Sequence, residues 1–143
     1  MDRQAQQVFD KMYNDDHFSQ WMGIELLSIS QGMCTLKMVV TRKMLNGFGM
    51  LHGGVAYALA DSAFAFAANS HNQVSVSTSG LITFGKSAKE GDTLFAEAKE
   101  LRLGSQTSEY DVEITSEHGE VYYRLRTTAF RKAAPLIKNS NTE

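Results

Sequence analysis

Between Gly53 and Ala68 the sequence reads GGVAYALADSAFAFAA, and only Asp61 and Ser62 interrupt the glycine and apolar residues. Its length and composition predict a helix over Gly53–Asn69, greasy on every side, and such a helix must be covered all round. A sheet of five or six strands can wrap part of its circumference. A second copy of the chain is the simplest cover for the rest. The run is too short, and too interrupted by Asp61, for a comfortable bilayer span, so no membrane partner is expected.

The flanking sequence supplies the strands. Ile24 to Val40 reads as a hairpin about Gln31-Gly32, with Cys34, Leu36, Met38 and Val40 alternating against Met33, Thr35, Lys37 and Val39. Further strands are expected at 74–84, 92–101, 108–116 and 120–130. The alternation of Tyr110, Val112 and Ile114, and of Val121, Tyr123 and Leu125, marks an antiparallel sheet with one wet face. An additional N-terminal helix is expected over 3–13, where Ala5, Val8, Phe9 and Met12 recur at helical spacing. With 143 residues, 43% of them hydrophobic, the chain reads as one domain over 1–134, followed by a disordered tail, 135–143.

Charge excludes one class of function. Lys and Arg total 14 against 16 Asp and Glu, with no block of either sign, so nucleic acid is not an expected partner. The N-terminus MDRQAQQ lacks a basic-then-apolar leader and Cys34 is the single cysteine, which together predict a cytoplasmic protein. His17, His52, His71 and His118 have no metal-ligand spacing, so no metal or other cofactor is expected. No G-x-S-x-G elbow is present.

Asp61 has Tyr57 and Ala65 one turn to either side and Ala58 and Phe64 three residues away. Burying an unpaired carboxylate costs several kcal/mol or raises its pKa. One reading makes it a structural acid capping a nearby loop; the other makes it catalytic. His52-Gly53-Gly54 falls at the expected helix start, where free amides and the positive dipole end can polarise a carbonyl and glycine lets a ligand approach the backbone. A lone histidine beside such a loop serves local hydrogen bonding about as often as function.

With these residues, and above all LNGFGMLHGGVAYALADSAFAFAANS, the chain resembles the hotdog-fold acyl-CoA thioesterases, in particular the phenylacetate-degradation (PaaI-like) branch, over about Gly23 to Phe130. The resemblance implies an α+β hotdog fold, a long central helix wrapped by a curved antiparallel sheet. It implies a homodimer, often paired into a homotetramer. The family pattern falls on Asn46, His52, Gly53 and Asp61. It implies hydrolysis of small or medium acyl-CoA thioesters, aryl ones included, with the Gly53 amide polarising the carbonyl, Asp61 acting as nucleophile or general base, and Asn46 and His52 orienting substrate or water. Gly54, Phe48, Met50, Tyr57 and Phe64 are candidates for substrate binding, although aromatic residues on such a helix are more often core. Lys86, Lys89 and Arg102 could meet CoA phosphates but are more often solvated.

Two alternatives remain at this point. One is a non-catalytic acyl-CoA sensor, which has no need of Asp61. The other is a hotdog dehydratase, whose proline- and glycine-rich loop is missing from a chain with Pro135 as its one proline. Gly53 and Asp61 are eight residues apart, about 12 Å along a helix. One carbonyl cannot touch both within a chain, so the sites are expected to be shared between antiparallel helices of a dimer.

Overall fold

The computed structural model describes residues 2–138. Helix α1 (Arg3–Asp15) is followed directly by a short helix α2 (His17–Trp21), then strands β1 (Glu25–Ser30) and β2 (Met33–Val39). A 3-10 turn at Arg42–Met44 leads to the long helix α3 (Gly53–Asn69), and β3 (Ser75–Phe84), β4 (Thr93–Leu103), β5 (Thr107–Thr115) and β6 (Val121–Arg131) complete the chain. The six strands form one antiparallel sheet in the order β1-β2-β4-β5-β6-β3. This is the α+β hotdog architecture expected from the sequence. The short α2 was not expected.

The alternation in the strands explains how the sheet holds α3. Leu36 and Met38 on β2, Leu94, Ala96 and Ala98 on β4, Val112 and Ile114 on β5 and Leu125 on β6 are all buried. They meet Leu59, Ala60, Ala63, Phe64 and Ala67 of α3, which packs on all of these strands. Alanines on β4 leave room for the helix to lie close to the sheet. Each large side chain fully buried here contributes roughly 1.5–3 kcal/mol. Helix α1 covers another side of α3, its Phe9 meeting Phe66 edge to face at 4.7 Å.

The far end of α3 is tied down by polar groups. Asn69 donates to the carbonyl of Ser75 at 3.1 Å and accepts from its amide at 2.8 Å, which fixes the start of β3. His71 contacts Glu100 at 2.6 Å, and Tyr110 donates to the same carboxylate oxygen at 2.8 Å. Gly32, at φ +76°, turns the β1–β2 hairpin where a Cβ would collide with Glu100. Asn72 accepts from the amides of Leu136 and Ile137 at 3.1 and 2.8 Å. The rest of the expected disordered tail, residues 139–143, lies outside the described residues. Among the described residues, no helix is long and apolar enough to cross a membrane.

Candidate active site

Helix α3 is not covered all round by its own chain. Gly54 is exposed, and Val55, Tyr57, Ala58, Asp61, Ser62 and Ala65 are only half-buried, whereas Leu59, Ala60, Ala63, Phe64, Phe66 and Ala67 are buried. The spacing 54, 58, 61, 65 is one helical stripe. Asp61 therefore sits in the middle of the one side of α3 that neither the sheet nor α1 covers. It makes no hydrogen bond to any described residue, so the structural-cap reading finds no partner here.

Partial burial pushes the Asp61 carboxyl up from its ordinary value, and the like charge of Asp16 pushes it further. Asp16 is brought there by α2. It caps that helix, accepting from the Ser19 amide at 3.0 Å and from the Ser19 hydroxyl at 2.6 Å. Ser19 is buried and its Oγ lies 2.9 Å from Oγ of Ser62, the residue next to Asp61. The signal was available in Asp16-x-x-Ser19, the spacing of a capping residue and the amide it accepts from. A helix of five residues carries too little periodicity to make that signal stand out.

The start of α3 is built by a short loop. Leu45 bridges Leu51, and Asn46 Oδ1 accepts from the amides of Phe48 and Met50 at 2.9 and 3.1 Å, closing the turn between them. The His52 amide donates to the carbonyl of buried Met44 at 2.8 Å. His52 then caps α3, its Nδ1 accepting from the Gly54 amide at 2.8 Å. An Nδ1 that accepts leaves Nε2 as the ring N–H, a donor with no acceptor among the described residues. The Gly53 amide has no acceptor among the described residues. It is the free N–H at the positive end of the helix dipole.

The expected site residues are thus divided. Gly53 is free to polarise a carbonyl, but the Gly54 amide is occupied by His52, and Asn46 Oδ1 is occupied within its own loop. Its Nδ2 makes no hydrogen bond among the described residues. Phe64, expected near substrate, is 2% exposed and packs edge to face on Tyr110 at 5.5 Å. It belongs to the core, because the helix turns its side chain to β5 while Ala65 takes the open stripe. Phe48 is the reverse, 91% exposed at the loop tip. Tyr57 lies on the open side, its hydroxyl set against Gly80 of β3. Among the candidate CoA cations, Lys86 pairs with Glu120 at 3.2 Å and Arg102 with Thr107 at 3.1 Å. Cys34 is buried and its thiol is pushed up to about 12, so it stays protonated and unreactive.

Gly53 and Asp61 of one chain are held about 12 Å apart by the helix between them. The structure brings together the N-terminal loop and the free amide in one place, and Asp61, Ser62, Ser19 and Asp16 in another.

Comparison with known proteins agrees with this architecture. Residues 48–123 match the Thioesterase superfamily. The acyl-coenzyme A thioesterase PaaI of Escherichia coli is 36% identical over 131 residues, covering 92% of this chain and 94% of that protein. A putative esterase of Archaeoglobus fulgidus is 35% identical over 127 residues, covering 89% of this chain and 82% of the relative. The solved structure of E. coli PaaI, from a phenylacetic acid degradation operon, superposes with a TM-score of 0.92 at 34% identity, covering 94% of this chain and 98% of that one. A Streptococcus mutans protein solved bound to acetyl CoA superposes with a TM-score of 0.76 at 26% identity, covering 78% and 90%.

Proposed function

The chain belongs to the thioesterase superfamily and is a thioester hydrolase, and on that premise we propose that it hydrolyses acyl-CoA thioesters of small or medium acyl groups, aryl groups included. The observation that carries the reading is the position of Asp61 on the uncovered stripe of α3, unpaired and with its pKa raised. A carboxylate made more basic by its surroundings is better suited to take a proton from water. The acetyl CoA held by the S. mutans relative supports the choice of thiol.

In this mechanism the substrate carbonyl accepts from the Gly53 amide. Asp61 removes a proton from a water as that water attacks the carbonyl carbon. The negative charge that develops on oxygen lies at the helix N-terminus, where a fixed donor stabilises it without reorganisation. The tetrahedral intermediate then collapses, the C–S bond breaks, and the CoA thiolate leaves and takes up a proton. Direct attack by Asp61 would instead form an anhydride that water opens. His52 Nε2 and Asn46 Nδ2 are the donors left over to orient substrate.

The site is shared between two copies. Two α3 helices packed antiparallel through their open stripes set the Gly53 amide of one chain beside Asp61 of the other, giving two equivalent sites. Strand β3 supports this pairing: it ends the sheet, pairs among the described residues with β6 alone, and exposes Val76, Leu81 and Phe84. Two such dimers make the tetramer suggested by the resemblance, and the protein works in the cytoplasm. The test is a hydrolysis screen of the purified protein over acetyl-, hexanoyl-, benzoyl- and phenylacetyl-CoA, read by thiol release. Turnover of at least one of them is expected, and a folded protein that turns over none overturns the reading.

A further inference from the structure

Three large aromatic rings stand in water at two separate places. Phe48 is 91% exposed, and Phe18 and Trp21 of α2 are 55% and 54% exposed, their rings 5.8 Å apart at a 30° tilt. Phe48 is held out by a closed turn. Asn46 Oδ1 accepts from its amide and from that of Met50, the Gly49 amide donates to the Asn46 carbonyl at 3.0 Å, and Gly49 takes φ +74°. Gly47 and Gly49 flank the ring, and a Cβ on either would meet no atom within 4 Å, so the tip presents one side chain on bare backbone. Trp21 has the opposite shape around it. With Met22, Met38 and Val39 it walls a groove of about 170 Å³, and Phe18 extends the apolar surface beside it. Lys37 and Glu25, of opposite sign, also line the groove, so it favours neither a cation nor an anion. A knob and an apolar hollow left open on the same chain need a reason.

We infer, on the shared-site reading above, that Phe48 of one copy closes onto Phe18 and Trp21 of a second, an aromatic clasp made twice in the two-fold dimer. In that pairing the α3 helices run in opposite directions about one axis. The arrangement that sets Gly53 of one copy level with Asp61 of the other therefore also sets His52 level with Ser62. Ser62 is the residue that holds α2, its Oγ lying 2.9 Å from that of Ser19, which stands between Phe18 and Trp21 in the sequence. His52 closes the loop that carries Phe48. The ring of one copy thus arrives at the level of the aromatic pair of the other, and the axis repeats the contact with the roles exchanged. A ring already fixed by its turn loses little freedom on docking. The clasp ties the loop bearing the free Gly53 amide to the helix anchored beside Asp61, and so holds the two halves of each shared site together.

Trp21 is the only tryptophan, so its emission, excited beyond the absorption of tyrosine, reads the clasp directly. Phe48→Ala removes a ring that its own chain barely touches, and the variant should fold. At a concentration where native mass spectrometry shows it dimeric, its emission should lie to the red of the parent's. Its dimer should also dissociate roughly a hundredfold more readily, about tenfold for each of the two aromatic contacts. Phe48→Tyr keeps the ring and should restore both. A Phe48→Ala chain that is folded by circular dichroism but monomeric supports the clasp too, because so exposed a ring can stabilise only another copy. A dimeric parent that hydrolyses acyl-CoA, and whose Trp21 emission Phe48→Ala leaves unmoved, overturns the clasp and leaves the shared site intact. Emission that a non-hydrolysable acyl-CoA thioether moves and Phe48→Ala does not also overturns it, the acyl group then being what Trp21 meets. A parent that is monomeric and yet active defeats the shared site, and the clasp with it.

Discussion

The Gly54 amide donates to His52 Nδ1 at 2.8 Å, and that bond leaves the neighbouring Gly53 amide as the free donor at the head of α3. His52 is thereby a capping group first. His52→Ala should lower stability by about 1 kcal/mol, the usual cost of a lost cap, and should also lower kcat as the loop loosens around Gly53. His52→Asn retains an acceptor for the cap. Denaturant midpoints and kcat measured together are expected to show stability restored in His52→Asn, while kcat stays below that of the parent because the Nε2 donor is gone.

Asp61→Asn separates function from stability. The amide fills the same space but cannot accept a proton from water or attack a carbonyl, so kcat should fall by about 100-fold or more while the fold persists. Stability should move the other way. A carboxyl whose folded pKa is raised holds its proton more tightly in the folded chain, so its contribution is most favourable below the ordinary value of 3.8 and is lost as pH rises through the folded pKa. At neutral pH the Asn variant is therefore expected to melt higher than the parent, with the gap closing in acid. Thermal melts across pH check both the sign and the window.

The second cause of that raised pKa can be removed alone. Asp16→Asn keeps an oxygen to accept from the Ser19 amide but deletes the like charge near Asp61. The acid limb of kcat/KM should shift to lower pH without reaching the ordinary carboxylate range, because burial, the larger cause, remains. An unmoved limb in a folded variant would mean that Asp16 does not act on Asp61.

The ends of α3 were legible because the signals there are local. His52 with two glycines marks its start, and polar Asn69, Ser70 and His71 mark its end. The inward faces of β2, β5 and β6 were legible from period-two alternation. Which way each side chain of α3 points was not, since a helix apolar on all sides has no polar face to orient it. Phe64 was expected at the site and is core; Ala65, one position on, lies on the open stripe. Asn46 and Gly54 were expected at the site from the sequence, but their hydrogen bonds inside the loop depend on chain geometry that spacing does not encode.

Gly80 and Tyr57 make a coupled pair across β3 and α3. A Cβ at Gly80 would overlap the Tyr57 hydroxyl and press on Leu125 at 3.3 Å. Gly80→Ala should destabilise by roughly 1–3 kcal/mol, the range for overpacking. Removing the hydroxyl makes room, so adding Tyr57→Phe should recover part of the loss. A double-mutant cycle in denaturant is expected to give a favourable coupling, whereas additive losses would place the strain at Leu125 or in the strand backbone.

The arrangement of the site makes its own prediction for mixed dimers. Gly53 and Asp61 cannot serve one carbonyl within a chain, since eight residues of α3 hold them about 12 Å apart. Gly53→Pro removes the amide at a position where a helix accepts proline, and the Phe84 ring that a Cβ would meet at 3.0 Å must shift by a few tenths of an ångström, so the folding of this homodimer is checked first. Asp61→Asn removes the acid. Each homodimer should fold and be inactive. When the two variants are unfolded together and refolded, or co-expressed with different tags, a hybrid contains one interface position with both defects and one with an intact amide facing an intact acid. If the sites are shared, the isolated hybrid regains about half of parental turnover per dimer, as one restored site in two. If Asp61 acts within its own chain, every site in the hybrid carries one defect and the hybrid stays as inactive as its parents. Native mass spectrometry establishes that the hybrid has formed, so inactivity in that species would rule out the antiparallel pairing of α3 as the source of the active site.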